Sequence, residues 1–413
     1  MRLDYLSCRR SFRIGSKWNI PGGALAIMRD GELLLARGYG LADVEQEERV
    51  RPESLFRIAS ISKPIRAVAV MNLVEEGRLR LDMRASALLD DFRPAEGGDA
   101  DPRVDRITVR QLLEHSAGWD ASSGFDPMFS TREIAELMGV SAPADCATTI
   151  RYMRRQPLDF DPGSRYAYSN FGYCVLGRIV ESASGQTYEE YVTSEILDPM
   201  GIERMRLGQT MLSGRYADEV RYYDYAGADL ATPVFPEIDG PAPWPYGGFH
   251  LEAMDAHGGW VGSATDLVRF VWGLESSNPS AVLQADTVST MLAHPAPPLW
   301  EGRSSYCALG WRVRPARKDS DWWHTGSLPG SSAILYRRSD GITWAALFNT
   351  RPNTQGDDFL VDVITAMGRA AMLQSLSGIL PVILGGVAAA GALLAVLVRK
   401  KRTRSGVKRG GRM

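Results

Sequence analysis

A chain of 413 residues with 45% hydrophobic and 23% charged residues can bury a large core as one domain or two interleaved lobes, so disorder is not the default reading. The net charge is −2, but residues 399–413 carry eight Lys or Arg and no acid, which leaves −10 on the rest. That balance argues against a nucleic-acid partner, because the basic charge is local.

In chain order, Gly23 to Gly40 reads as two strands joined at Asp30-Gly31, a pair that favours a tight hairpin between apolar runs. An aliphatic helical pattern follows just after "SISKP", with Ile65, Val68, Ala69, Met71, Leu73 and Val74 as its apolar wall. Further helical patterns run over Ile107–His115, Thr131–Met138, Phe171–Ser184, Tyr188–Ile196 and Ala264–Leu274. The Pro- and Gly-rich stretch Ala228–Phe249 reads as a long surface loop that could line a cleft. Strand patterns return at Cys307–Val313, around His324, and at Ser331–Thr350, where Asp340-Gly341 repeats the hairpin signal. The segment "DDFLVDVITAMGRAAMLQ" reads as a final helix.

Strands at both ends with helices between them predict an α/β (α+β) fold. An antiparallel sheet is built from both ends, flanked by helices, with a mostly helical lobe at about 81–254. A cleft between lobe and sheet is the expected place for a site.

Residues 376–398, "LSGILPVILGGVAAAGALLAVLV", are 23 uncharged residues, apolar all round, and are expected to form a C-terminal transmembrane helix in a lipid bilayer. The basic tail at 399–413 would then be cytoplasmic and the bulk of the chain extracytoplasmic. Residues 1–23 carry no apolar signal-peptide core. Either the start misses an upstream signal or the domain stays cytosolic on a tail anchor, and the first is favoured. Cys8, Cys146, Cys174 and Cys307 are scattered, without CxxC spacing, and read as structural thiols. No metal or cofactor is implied.

Chemistry concentrates in three short stretches. Ser60 and Lys63 stand one helical turn apart, with Pro64 tolerated only in a first turn and so pinning the helix start near Ser60. The positive end of the helix and an apolar wall would lower the pKa of Lys63, so that it activates serine without histidine. The same spacing alone also describes a helix-capping serine beside a solvated lysine. "PGSRYAYSNFGY" contains Tyr168 and Asn170, two apart and able to face one cleft. A buried Tyr with a bonded hydroxyl and a loop Asn is the plainer alternative. "WWHTGSLPGSS" contains His324, Thr325, Gly326 and Ser327 on a strand. Gly326 would admit substrate close to the backbone, and the Ser327 N–H could serve an oxyanion. A glycine-marked bulge beside an aromatic core is the alternative there.

The ordered set SxxK, YxN, HTG is far more specific than any one of its members. With "IPGGALAIMRDGELLLARGYG", "ITVRQLLEHSAGW", "FDPGSRYAYSNFGYCVLGRIVE" and "GGWVGSATDLVRF", the chain resembles the serine β-lactamase and penicillin-binding-protein superfamily over roughly 19–372. The similarity is to the branch holding class C β-lactamases, D-aminopeptidases and esterases. The resemblance implies that residues 1–375 are a serine hydrolase domain acting by an acyl-enzyme. Ser60 would be nucleophile, Lys63 its base partner, and Tyr168 second base or leaving-group acid. Asn170, His324, Thr325, Gly326 and Ser327 would bind substrate, and the backbone N–H groups of Ser60 and Ser327 would form the oxyanion hole. His324 stands where β-lactamases and D,D-peptidases usually carry lysine. A neutral histidine holds a substrate carboxylate less firmly, which shifts the expectation towards a broader ester or amide hydrolase acting on a small molecule or peptide. His115 reads as a buried hydrogen-bonder and His257 as structural or supporting. The alternative from another class is a non-catalytic penicillin-binding-like sensor that uses the same cleft.

Overall fold

The computed structural model describes residues 18–92, 101–123, 125–317, 319–352 and 359–367. Residues 18–360 form one unit, and the helical stretch 361–367 belongs to a second. Strands β1 (Gly22–Arg29), β2 (Glu32–Asp43) and β3 (Glu48–Arg49) come from the start of the first unit. Strands β4 (Phe56–Arg57), β5 (Arg206–Leu207) and β6 (Trp260–Gly262) are short interior pieces. Strands β7 (Tyr306–Cys307), β8 (Arg312–Pro315), β9 (Ser320–Leu328), β10 (Ser331–Arg337) and β11 (Ile342–Phe348) come from its end. Among the described residues before position 359, the α-helices are α1 (Ser62–Glu75), α2 (Ala85–Leu88), α3 (Val109–Leu113), α4 (Thr131–Met138), α5 (Cys146–Met153), α6 (Asn170–Ser184), α7 (Tyr188–Val192), α8 (Ala264–Trp272) and α9 (Ala285–Leu292).

Among the described residues the large sheet runs β3-β2-β1-β11-β10-β9-β8-β7, so the two ends of the unit meet at its centre, where β1 pairs antiparallel with β11. β1 is buried along all but its last residue, as a central strand covered on both faces should be. Helix α8 packs on β1 and β11, its start held by a reciprocal cap between Ser263 and Asp266. A second sheet, β4-β6-β5, fixes the chain just before the turn that leads into α1.

The Asp30-Gly31 signal gives the two-residue hairpin expected of it, with φ of +50° and +80° at the two positions. The second hairpin differs. Its loop is 338–341, longer than the turn the Asp-Gly pair suggested, because the Asp340 carboxylate accepts from the Ile342 N–H and from Arg338. Cys307–Val313 is not one strand but β7, a turn and β8. Gly310 turns the chain at φ +83° where a Cβ would lie 2.4 Å from the Ala67 Cβ of α1. The 188–196 pattern is helical, but α7 passes at Thr193 into a π-helical turn. The Pro- and Gly-rich segment 228–249 is not simply a surface loop: Ala231, Val234, Ala242 and Phe249 are buried. Its Pro245 carbonyl accepts from Arg57 Nη1 at 2.7 Å.

Two expectations are corrected. The transmembrane helix placed at 376–398 lies outside the described residues, and among the described residues no helix is long and apolar enough to cross a membrane. The architecture that stands is the mixed α/β one. The four cysteines are not all thiols either. Neighbouring helices α5 and α6 bring Cys146 and Cys174 to a Cα separation of 6.3 Å, where they form a disulfide, while Cys307 is a free buried thiol.

Two predictions follow from this packing. The disulfide closes a loop 28 residues apart in sequence, so Cys174→Ala should cost about 3–4 kcal/mol in denaturant unfolding, and reductant should then cost nothing further. Equal stability of the variant and the oxidised protein would contradict this. At Gly326 a Cβ would stand 2.2 Å from the Ile58 carbonyl oxygen and 3.2 Å from the Ala59 Cβ. Gly326→Ala should therefore lower unfolding stability by about 1–3 kcal/mol, whereas unchanged stability would show that β9 can yield there.

Candidate active site

Ser60 lies in a single 3-10 turn, Ala59–Ile61, that runs directly into α1. The turn is held at both ends of the approach. The Ile58 N–H donates to the Trp260 carbonyl at 3.0 Å. Arg57 is fully buried; its N–H donates to Tyr222 Oη at 2.7 Å and its carbonyl accepts from Ser331 Oγ at 2.6 Å. Ala59 adopts φ +49°, a conformation that costs a non-glycine residue about 1 kcal/mol or more, and which the packing around it enforces. Pro64 is the third residue of α1, within the first turn where its missing N–H costs no helical bond.

Four predicted residues meet here. Tyr168 Oη donates to Ser60 Oγ at 2.8 Å, and Lys63 Nζ lies 3.2 Å from the same oxygen. Lys63 Nζ also donates to Asn170 Oδ1 at 2.8 Å and to the His257 carbonyl at 3.1 Å. The lysine has no exposed surface, and its Nζ sits 4.7 Å from the centre of the Tyr168 ring. Asn170 begins α6, whose N-cap Ser169 accepts from the Gly172 N–H. The cap fixes how far Tyr168, two residues earlier, stands from Asn170.

The HTG residues lie on β9, paired to β10 with Ser327 opposite Ser332 and Thr325 opposite Ile334. The strand passes the Ser60 turn at Gly326. On the side where a Cβ would stand, the space beside Gly326 is occupied by the Ile58 carbonyl of the protein itself. His324 is close enough for the Lys63 charge to act on it, and its Nδ1 lies 2.6 Å from the Thr325 carbonyl oxygen.

Burial sets the protonation states. It lowers Lys63 to about 7, with the Asp126 carboxylate opposing, so the amine is partly neutral at neutral pH. Burial raises the Tyr168 phenol well above its ordinary range, although its bond to Ser60 opposes this, so the phenol keeps its proton. Burial and then the Lys63 charge lower His324 to about 3. The same two causes, in the same order, hold His115 and His257 well below the usual range. Lys63 is thus surrounded by neutral imidazoles.

Sequence reasoning placed His115 as a buried hydrogen-bonder, and its Nδ1 accepts from the Ser169 N–H at 3.1 Å while its ring lies 4.6 Å from that of Tyr168. It missed Asp126, whose Oδ2 accepts from Asn170 Nδ2 at 2.6 Å. The available signal was local: "FDPMF" is an Asp-Pro turn start, and Asp126 does cap the turn Pro127–Phe129. A cavity of about 350 Å³ lies beside Asn170 and Asp126, with Asp120, Glu133 and Asp159 also in its wall. Among the described residues no group of three or more His, Cys, Asp or Glu side chains could hold a metal ion.

Comparison with known proteins finds relatives in sequence and in fold. A putative fimbrial assembly protein, FimD of serogroup D, from Dichelobacter nodosus is 26% identical over 347 residues, 82% of this chain and 77% of that protein. Esterase EstB of Burkholderia gladioli is 36% identical over 186 residues, 44% of this chain and 45% of the esterase. This chain therefore aligns with less than half of the esterase's length. In three dimensions, the D-amino acid amidase of Ochrobactrum anthropi superposes with a TM-score of 0.66 at 21% identity, over 88% of this chain and 99% of the amidase, a likeness of fold alone. The penicillin-binding protein homologue of Pyrococcus abyssi superposes with a TM-score of 0.66 at 25% identity, over 84% of this chain and 74% of that one. The Beta-lactamase family profile matches residues 13–366, and the chain belongs to that family, whose members are typically serine hydrolases.

Proposed function

We propose that this chain is a serine hydrolase in which Ser60 attacks the carbonyl of an ester or amide and water then releases the acyl group. The observation that carries the reading is the convergence of Lys63 Nζ and Tyr168 Oη on Ser60 Oγ. In the first step the bond from Ser60 Oγ to the acyl carbon forms and the bond to the leaving alcohol or amine breaks. The Ser60 proton passes to the neutral amine of Lys63. Tyr168, which keeps its own proton, supplies one to the departing oxygen or nitrogen and is refilled from Lys63. Deacylation runs the same relay with water in place of the alcohol. The backbone N–H groups of Ser60 and Ser327 are the proposed donors to the oxyanion, a role supported by the passage of β9 against the Ser60 turn at Gly326. Asn170 orients Lys63 and the acyl group.

The substrate class follows from charge. His324 is neutral and itself supplies no fixed cation for a substrate carboxylate, although the Arg312 charge on β8 also acts on it, and the neighbouring cavity wall carries Asp120, Asp126, Glu133 and Asp159. Neutral or amine-bearing esters and amides therefore fit better than penicillins. The disulfide supports residence in an oxidising compartment.

Ester hydrolysis by purified protein tests the reading. Ser60→Ala should lower kcat by about 10⁴-fold or more, and Lys63→Ala by about 10²–10⁴-fold. Full turnover by Ser60→Ala would overturn the mechanism. Because the base must be deprotonated, kcat/KM should rise with pH through a midpoint of about 7, the value of Lys63. A profile flat from about pH 5 to about pH 9 would exclude Lys63 as the base. Neutral esters should exceed penicillins in kcat/KM by about 10-fold or more, and the reverse order would overturn the assigned substrate class.

A further inference from the structure

Lys63 is faced from several elements at once. His115, Tyr168 and Tyr173 stand on the lobe side, His257 offers its carbonyl, and His324 lies on β9. Among these groups none is an anion at neutral pH. The negative charge that acts on Lys63 is Asp126, 44 residues from Asn170 in sequence and joined to it by a single hydrogen bond. Burial raises the Asp126 carboxyl above its ordinary range, and Asn170, the Met128 N–H and the Lys63 charge oppose that rise. Its charge in turn reaches Tyr168.

Its two oxygens have separate tasks. Oδ1 accepts from the Met128 N–H at 3.0 Å, which holds the turn Pro127–Phe129. Oδ2 accepts from Asn170 Nδ2 at 2.6 Å. An ionised carboxylate only accepts and an ammonium only donates, so the amide between them has one satisfactory orientation. Nδ2 must face Asp126, which leaves Oδ1 to face Lys63 Nζ at 2.8 Å. Turned by 180°, the amide would oppose donor to donor and acceptor to acceptor, and both mismatches would be buried.

We propose that Asp126 is a positioning residue of this site: through Asn170 it aims Lys63 at Ser60, and its carboxylate is the counter-charge of the buried lysine. The chain of contacts runs from Asp126 to Asn170, Lys63 and Ser60, with every link a hydrogen bond of 3.2 Å or shorter. The proposal rests on the reading of Lys63 as the base of Ser60. It goes further by naming a residue that makes no contact with the nucleophile and still sets the pH range of the reaction. Removing the charge while keeping an acceptor, as in Asp126→Asn, makes protonated Lys63 less favourable. The lysine then deprotonates at lower pH and the acid limb of kcat/KM moves down. Asp126→Ala also frees the amide to turn.

The test is a ¹³C titration of the full-length protein labelled at lysine Cε, with the Lys63 signal identified by its loss in Lys63→Arg. Asp126→Asn should lower the Lys63 midpoint by about one pH unit, and Asp126→Glu, which keeps the charge, should restore most of it. In ester hydrolysis the acid limb of Asp126→Asn should move by the same amount, and kcat of Asp126→Ala should fall by about 10-fold or more in protein that is still folded at the assay temperature. A Lys63 midpoint that stays put in folded Asp126→Asn overturns the proposal. So does a loss of activity in Asp126→Ala matched by a loss of folded protein, with the limb of Asp126→Asn unmoved. The titration needs no turnover, so a wild-type protein inactive on every ester would count against the hydrolase reading while the titration still judged Asp126.

Discussion

Everything at this site depends on an ammonium group placed where water cannot reach it. Lys63 has no exposed surface, and desolvation of its charged form is what brings it down to about 7. A solvated lysine would remain charged at neutral pH and could not take the serine proton. The burial is tolerable because Nζ is given a carbonyl, an amide oxygen and a hydroxyl to bond. Those three partners come from the Ser60 turn, the start of α6 and the segment before β6, so the lysine is held by three separate parts of the chain.

The scaffold serves that placement. Pairing β1 with β11 makes a central sheet from the two ends of the unit, against which α8 packs. At the other side of β10, strand β9 comes close enough to the Ser60 turn that only glycine fits at position 326. Arg57 ties the same turn to two otherwise irregular segments: Nη1 donates to Pro245, and Nη2 donates to Gln209 and Thr210. Its two Nη groups donate to backbone carbonyls, and the Glu219 carboxylate is the negative charge that it acts on. The cost of Ala59 at φ +49° is borne by this clamp.

What the sequence made legible was short in range. Asp30-Gly31 encodes a turn because both positions tolerate positive φ, and SxxK encodes proximity because residues three apart share a helix face. Family resemblance then linked Tyr168 and Asn170 to Ser60, which periodicity could not do. Helix α5 escaped because Thr148, Thr149 and Ile150 are β-branched and give no clear helical stripe, although Asp145 caps its start. The Cys146–Cys174 bridge escaped with it, since it depends on α5 lying beside α6. Asp126 was legible only as the start of an Asp-Pro turn, since its contact with Asn170 spans 44 residues and leaves no local pattern. At Gly326 the need for glycine has a further cause that the sequence did not show: a Cβ there would meet the Ile58 carbonyl, a neighbour that only the tertiary structure brings there.

The central claim is that Ser60 becomes covalently acylated, and intact-mass spectrometry with peptide mapping tests it most directly. The full-length protein, mixed with an ester carrying a slowly released carbamoyl group, should gain one carbamoyl mass per chain, mapped to Ser60. The gain should be absent in Ser60→Ala and slowed in Lys63→Ala. An adduct on another residue, or ester turnover that continues in Ser60→Ala with no adduct, would contradict the account.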